Sequence, residues 1–356
     1  MPNIDKIDEN FKIETKIEKE GIRFYDSSEA PFVCYGLIRE GGIFRRMPAA
    51  VAERVSAGVN SLHTNTAGGR VRFRTDSPYI AIHVKCGWLS NFMHCARSGL
   101  AGFDLYFGER HVKTFMPPPD AQPSYESIAE FGGSQMREVT INFPTYSNIL
   151  DLYIGLDENA KIEAPAPYAV ETPVVYYGSS ITQGGCASRP GSIYQNIVSR
   201  RFNCDYVNLG FSGSAKGEDA MADYIAGLSM SLFVYDYDHN APSPEYLRDT
   251  HEKMFKKIRN AHPDIPIIMM SRPVYNLSYS DRARLEVIRT TYENALAAGD
   301  KNVYLLDGPT LTALCEDEGT VDRCHPTDLG FASMAKALCD LIEREEIFVP
   351  VGKKIF

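Results

Sequence analysis

The stretch Pro173-Val174-Val175-Tyr176-Tyr177-Gly178-Ser179-Ser180-Ile181-Thr182-Gln183-Gly184-Gly185 changes character at its centre. Val174–Tyr177 is a short apolar run rich in β-branched and aromatic side chains, which reads as a buried strand. Gly178 and the two serines after it read as a tight polar corner leading into a helix. Downstream the alternation continues. A helix is predicted near Ser192–Arg201, a strand at Tyr206–Phe211, a helix at Glu218–Ala226 and a strand at Leu232–Tyr237. Leu247, Met254, Phe255 and Ile258 share one helical face, and Ile265–Met270 is a near-continuous apolar run suited to a strand covered on both sides. A helix over Arg282–Ala298 and a strand over Val303–Leu306 follow. The last helix carries Phe331, Met334, Ala335, Leu338, Leu341 and Ile342 on one stripe. Five strands alternating with helices predict an α/β domain around a parallel sheet.

Upstream the pattern differs. Phe32–Ile38, Val71–Thr75, Tyr79–Lys85, Phe103–Phe107, Val139–Phe143 and Ile149–Ile154 are short and strand-like, with Gly, Pro, Ser and Asp between them. In Val71-Arg72-Phe73-Arg74 the apolar residues share one face and the arginines the other. This predicts a β-sandwich, interrupted by one helix near Ala49–Ser56. Glu158–Thr172, with two prolines and no clear period, is a linker candidate. The expected organisation is a β-sandwich domain over 1–165, an α/β domain over 173–346 and a tail over 347–356.

At 356 residues, 44% hydrophobic and 23% charged, the chain has ordinary globular composition. Its net charge of −9 disfavours nucleic acid and anionic membrane as partners. No apolar run approaches the roughly 18 residues of a membrane helix. The charged, leader-free N-terminus leads us to expect a cytoplasmic protein. Eight cysteines without a C-x-x-C pair read as free thiols in a reducing compartment, a Cys86–Cys95 bridge being the lesser alternative. No His/Cys spacing asks for a metal, and no cofactor is expected.

In parallel α/β sheets ligands sit beyond the C-terminal strand ends. The first strand runs into the polar turn that holds Ser180. The second ends in Asn208-Leu209-Gly210-Phe211-Ser212-Gly213, and the third in Asp238-His239-Asn240-Ala241. Each alone fits an ordinary turn. Asp322-Arg323-Cys324-His325 precedes the last helix, and Asp and His three apart can hydrogen-bond directly. Asp328, at the helix start, is assigned to the helix terminus. Together these stretches can supply a nucleophile, a base, an orienter and oxyanion donors, the parts that acyl transfer through serine requires.

At these residues the sequence resembles the SGNH (GDSL-like) hydrolase superfamily, with Ser179 where the family often has Asp. Ala101-Gly102-Phe103-Asp104-Leu105-Tyr106 resembles the G-x-D-L-Y signature of a branch with an N-terminal β domain. The resemblance implies a flavodoxin-like domain with a five-stranded parallel sheet, preceded by a jelly-roll-like β-sandwich. It implies Ser180 as nucleophile, His325 as general base and Asp322 as its orienter. The oxyanion donors would be the amides of Ser180 and Gly213 and the side chain of Asn240. It further implies a carbohydrate esterase removing small acyl groups, with acetyl the expected one. An acyltransferase, a lipase or phospholipase, and a non-catalytic glycan-binding protein are the alternatives. Trp88, Met93 and His94, in the loop Gly87–Gly99, are candidate substrate contacts, with interdomain packing the competing role. The oligomeric state is left open.

Overall fold

The computed structural model describes residues 16–353. Residues 1–15 of the expected first domain and 354–356 of the expected tail lie outside the described residues. Five strands, Val170–Gly178, Cys204–Gly210, Leu232–Asp236, Ile267–Met270 and Val303–Leu306, run parallel in the order second, first, third, fourth, fifth. This is the flavodoxin-like order, and its switch point lies between the first and third strands. Every residue of Leu232–Asp236 and Ile267–Met270 is buried, as helices on both faces require. Val175, Tyr177, Phe233, Tyr235 and Met269 face the layer containing Asp219–Ala226, Pro244–Ala261 and Tyr279–Ala297. Val174, Tyr176, Val234 and Ile268, one step out of phase, face Tyr194–Phe202 and Asp328–Arg344. The helix expected from Arg282 starts at Tyr279, because Ser278 and Asp281 close a reciprocal capping box.

The N-terminal region is an antiparallel β-sandwich. One sheet orders Ile22–Asp26, Ile149–Asp157, Tyr79–Cys86 and Ser124–Glu130. The other orders Ile162–Glu163, Arg70–Thr75, Arg137–Asn142, Phe103–Phe107 and Arg110–Phe115, with Val33–Tyr35 also pairing to Arg70–Thr75. Phe73, Leu105 and Ile141 from one sheet meet Ile82, Leu152 and Ile154 from the other in a shared core.

The join between the two regions is closer than a linker. Ile162–Glu163 pairs with Thr75 and Arg74, and Val170–Thr172 already belongs to the first parallel strand. The helices Ala49–Val55 and Ala57–Leu62 place Ala52 and Val59 in the core of the α/β domain, beside Phe211, Met221 and Ile225. Towards the C-terminus, Ile347 and Phe348 pack on the opposite core, and the N–H groups of Val351 and Gly352 donate to the Arg201 carbonyl. Among the described residues no helix is long and apolar enough to cross a membrane.

Candidate active site

Ser180 opens the short helix Ser180–Gln183, immediately after the first parallel strand and beside the switch point. Gly178 is obligatory at the strand end, since a Cβ there would stand 1.6 Å from Asp236 Oδ1. Ser179 takes the N-cap, its Oγ accepting the Ile181 N–H at 3.2 Å. The side chain that replaces the family's frequent Asp is thereby occupied with the helix end. The carboxylate beneath the turn is Asp236 instead, which accepts from Thr182 Oγ1. Its complete burial pushes its pKa up to about 7, with the Thr182 hydrogen bond opposing.

His325, 145 positions away in sequence, meets Ser180 as the resemblance implies, and Asp322 pairs with it at the spacing of three. Ser180 Oγ and His325 Nε2 are 2.9 Å apart, and His325 Nδ1 and Asp322 Oδ2 are 2.8 Å apart. Asp322 Oδ1 accepts the backbone N–H groups of Cys324 at 3.0 Å and His325 at 2.8 Å. Partial burial pushes the Asp322 carboxyl up, but these hydrogen bonds outweigh it and hold it below its ordinary value. Arg272 braces the loop from outside by donating to the Arg323 carbonyl at 2.8 Å. Ser180 is only 6% exposed, whereas the Asp322 side chain is 41% exposed. An ionised carboxylate on Nδ1–H leaves Nε2 as the acceptor for the serine proton.

The three groups read as oxyanion donors lie just beyond the C-terminal ends of the first three parallel strands. Neither the Ser180 nor the Gly213 N–H has an acceptor among the described residues. Gly213 holds φ +66°, with open space where a Cβ would stand. Asn240 Nδ2 donates one hydrogen to Phe211 O at 3.2 Å and retains the other. The loop bearing Asn240 is fixed by Asp238, which accepts the Arg272 N–H at 3.1 Å, and by Arg284, which donates to Ala241 O at 2.9 Å. Burial disfavours charge on His239, but Asp238, 3.5 Å from its Nδ1, and Cys324 together outweigh this and raise its pKa to about 9.

The β-sandwich reaches into the site through Tyr146, Asn65, Thr145 and Arg46, which the sequence reading did not single out. Tyr146 donates its hydroxyl to the Ser180 carbonyl at 3.1 Å. Gln183 donates to Asn65 Oδ1 at 3.0 Å and to Thr145 O at 3.3 Å, and accepts the Ser212 N–H at 3.0 Å. Arg46 is buried against the Phe211 ring and donates to Gly210 O, with burial lowering its pKa to about 9. Asp104 of the G-x-D-L-Y motif is fully buried and accepts the Gly191 N–H at 2.7 Å and Arg189 at 3.2 Å. That carboxylate pins the loop that follows the serine. Asp328 accepts the Ser188 N–H at 2.8 Å and its hydroxyl, so it ties the same loop to the last helix.

Of the three candidate substrate contacts, only His94 is brought to the centre, its ring 5.7 Å from that of His325. Phe92 stacks on His94 and packs edge-on to Tyr146. Met93 is fully exposed, and Trp88, 55% exposed, makes no ring contact among the described residues. Cys95 lies not against Cys86 but against Cys186, with the two Sγ atoms 2.8 Å apart. The donor atoms of His94, Cys95 and Cys186, and those of His94, Asp322 and His325, each lie within 4.8 Å of one another and could hold a metal ion. The sequence offered no spacing for either group, because each joins different loops.

Comparison with known proteins bears on this arrangement. Residues 171–343 match the GDSL-like lipase/acylhydrolase family, and residues 22–162 match the GxDLY family, described as the N-terminus of SGNH-hydrolase-type esterases. No curated protein matches. A solved structure from Bacteroides ovatus, described as a GDSL-like lipase, is 28% identical with a TM-score of 0.83, covering 92% of this chain and 99% of that one. A salicylyl-acyltransferase from a tetracycline biosynthetic pathway is 19% identical with a TM-score of 0.75, again covering 92% and 99%. An acetyl xylan esterase from the rumen bacterium Butyrivibrio proteoclasticus shares the fold at 12% identity and a TM-score of 0.60, covering 91% and 98%.

Proposed function

We propose that this chain, which belongs to the SGNH (GDSL-like) hydrolase superfamily, is a serine esterase that removes small acyl groups, acetyl foremost, from carbohydrate hydroxyls. The observation that carries the reading is the contact of Ser180 Oγ with His325 Nε2 at 2.9 Å, continued from Nδ1 to Asp322 at 2.8 Å. Ser180 Oγ attacks the ester carbonyl while its proton passes to His325. The carbonyl π electrons move onto oxygen, and the Ser180 and Gly213 amides and the Asn240 side chain receive that oxyanion. Collapse breaks the bond to the sugar oxygen, which leaves with the proton from His325. Water, deprotonated by His325, then attacks the acyl-serine, releasing the carboxylic acid and restoring the hydroxyl.

A polar alcohol is supported by the rim, where the exposed imidazole of His94 and the Asp322 carboxylate border His325. The acetyl xylan esterase with this fold agrees. The acyltransferase among the neighbours keeps a second acceptor in play, since an acyl-serine can be intercepted by an alcohol instead of water. The test is release of p-nitrophenol from p-nitrophenyl acetate and octanoate, with acetylated oligosaccharides scored for free acetate. Ser180→Ala should lose nearly all turnover with an unchanged circular dichroism spectrum, and acetate should be preferred to octanoate. Retained turnover removes the nucleophile, and preference for octanoate replaces sugar with lipid. An ester product that grows with added alcohol at the expense of free acid makes the chain a transferase.

A further inference from the structure

The alternation in Arg70-Val71-Arg72-Phe73-Arg74 puts three guanidinium groups on the outer face of the sandwich. Two are neutralised, Arg70 by Asp205 and Arg74 by Glu138 and Glu163. Arg72 is not. It is only 8% exposed, its Nη1 has no acceptor, and it has no carboxylate partner among the described residues. Its guanidinium lies 4.0 Å from the centre of the Tyr168 ring. A buried cation that faces the rings of Tyr168 and Tyr35 but no carboxylate carries a desolvation penalty that an anion would relieve.

Arg72 lines a cavity of about 250 Å³ between the sandwich and the helix Tyr194–Phe202. Arg200 enters the same cavity, 4.7 Å from the Tyr106 ring centre, and donates to the Gly191 carbonyl at 2.9 Å, also without a carboxylate partner. Asn142, 2% exposed, presents an unpaired Oδ1 there. Two acidic residues border the cavity as well. Glu138 is held by Arg74, while Glu109 accepts the Lys353 N–H at 3.0 Å. Arg70 lines the cavity too but is paired with Asp205, so two unpaired guanidinium groups stand against one carboxylate, Glu109, that has no cation partner among the described residues. Asn203, which also lines the cavity, precedes the second parallel strand, so the cavity lies at the end of the sheet opposite Ser180.

We propose that this cavity binds a small hydroxylated anion, a sugar acid or a sugar phosphate. Its oxyanion would be received by Arg72 and Arg200, and one of its hydroxyls would donate to Asn142 Oδ1. The experiment is isothermal titration calorimetry on the full chain with D-glucuronate, D-glucose 6-phosphate and neutral D-glucose. At least one anion should bind while glucose does not, and the stronger anion identifies the carboxylate or the phosphate source. Arg72→Gln should weaken that anion at least about tenfold while leaving near-UV circular dichroism and p-nitrophenyl acetate turnover unchanged. Arg200→Gln should act in the same direction and serves if Arg72→Gln does not fold. Lack of binding by both anions up to roughly 10 mM, equal binding of glucose, or undiminished binding in a folded variant overturns the assignment.

Discussion

Replacing Asp322 by asparagine should damage turnover more than replacing it by alanine. Oδ1 of Asp322 accepts two backbone N–H groups, and Oδ2 faces His325 Nδ1. An asparagine here must keep its carbonyl oxygen on the backbone donors, because its NH2 would set donor against donor. That NH2 then faces Nδ1, and the ring answers by moving its proton to Nε2, the atom that must accept from Ser180. A wrong tautomer in a Ser-His-Asp arrangement costs about 10⁴ in turnover. Alanine leaves Nδ1 to water and both tautomers accessible, so only the charge is lost. With the Asp322 side chain 41% exposed, solvent screens that charge. Two charges about 4 Å apart attract by roughly 1 kcal/mol in water and roughly 4 kcal/mol near a protein surface, which is about fivefold to a thousandfold in rate. The assay is kcat/KM for p-nitrophenyl acetate, with circular dichroism to confirm folding. If asparagine equals or exceeds alanine, Asp322 does not set the tautomer and the reasoning fails.

Asn240→Ala should lower kcat by about 10² to 10³ with little change in KM, because the amide acts on the oxyanion rather than the bound ester. A loss confined to KM in steady-state kinetics would contradict this. Oxidation with diamide, which takes up both thiol hydrogens as the disulfide forms, should join Cys95 to Cys186 in peptide maps. A Cys86–Cys95 peptide would contradict the placement of the loop. Between pH 3.8, the ordinary value for Asp236, and about 7, its buried carboxyl binds more proton in the folded chain than in the unfolded one. Stability should therefore fall as pH rises through that window, by up to about 1.4 kcal/mol per pH unit from this group. Asp236→Asn should flatten the slope, and urea midpoints measured across the window that still decline as steeply would refute the burial argument.

The α/β half was readable because each of its strands is a local apolar run and its last helix a single long stripe. Ser180 could be singled out because it sits at a strand end, and Asp322 and His325 because they stand three apart in the loop before the last helix, the roles following from the resemblance of the whole set. Other residues gave no such signal. Gln183 and Asn65 are 118 positions apart and meet only because a sandwich loop folds over the serine turn. Arg46 precedes a short helix whose apolar residues are ordinary, and nothing local says that they pack on the other domain. The linker candidate was misread for a related reason. Prolines at its centre hide that Ile162–Glu163 and Val170–Thr172 are each paired to strands distant in sequence. For Trp88, bulk and a loop position were the whole signal, and these do not distinguish a side chain facing substrate from one facing solvent.

The β-sandwich is better understood as part of the site than as an appendage. Acyl transfer needs donors held in place before the oxyanion forms, since a loop that must reorganise gives back the stabilisation it offers. The loop bearing Gly213 is seated by Phe211 in the α/β core and by the Gly178 carbonyl, and further fixed points come from across the interface. Arg46 holds the Gly210 carbonyl, and Gln183, anchored on Asn65 and Thr145, holds the Ser212 N–H. Tyr146 holds the carbonyl of the serine itself, and buried Asp104 holds the loop behind it. An isolated α/β half would keep the Gln183–Ser212 bond but lose the Asn65, Thr145, Arg46, Tyr146 and Asp104 contacts that hold it and its neighbours, along with Ala52 and Val59 of its core. Its activity would then fall through misplacement of donors, because displacements near 1 Å can cost about a hundredfold in rate.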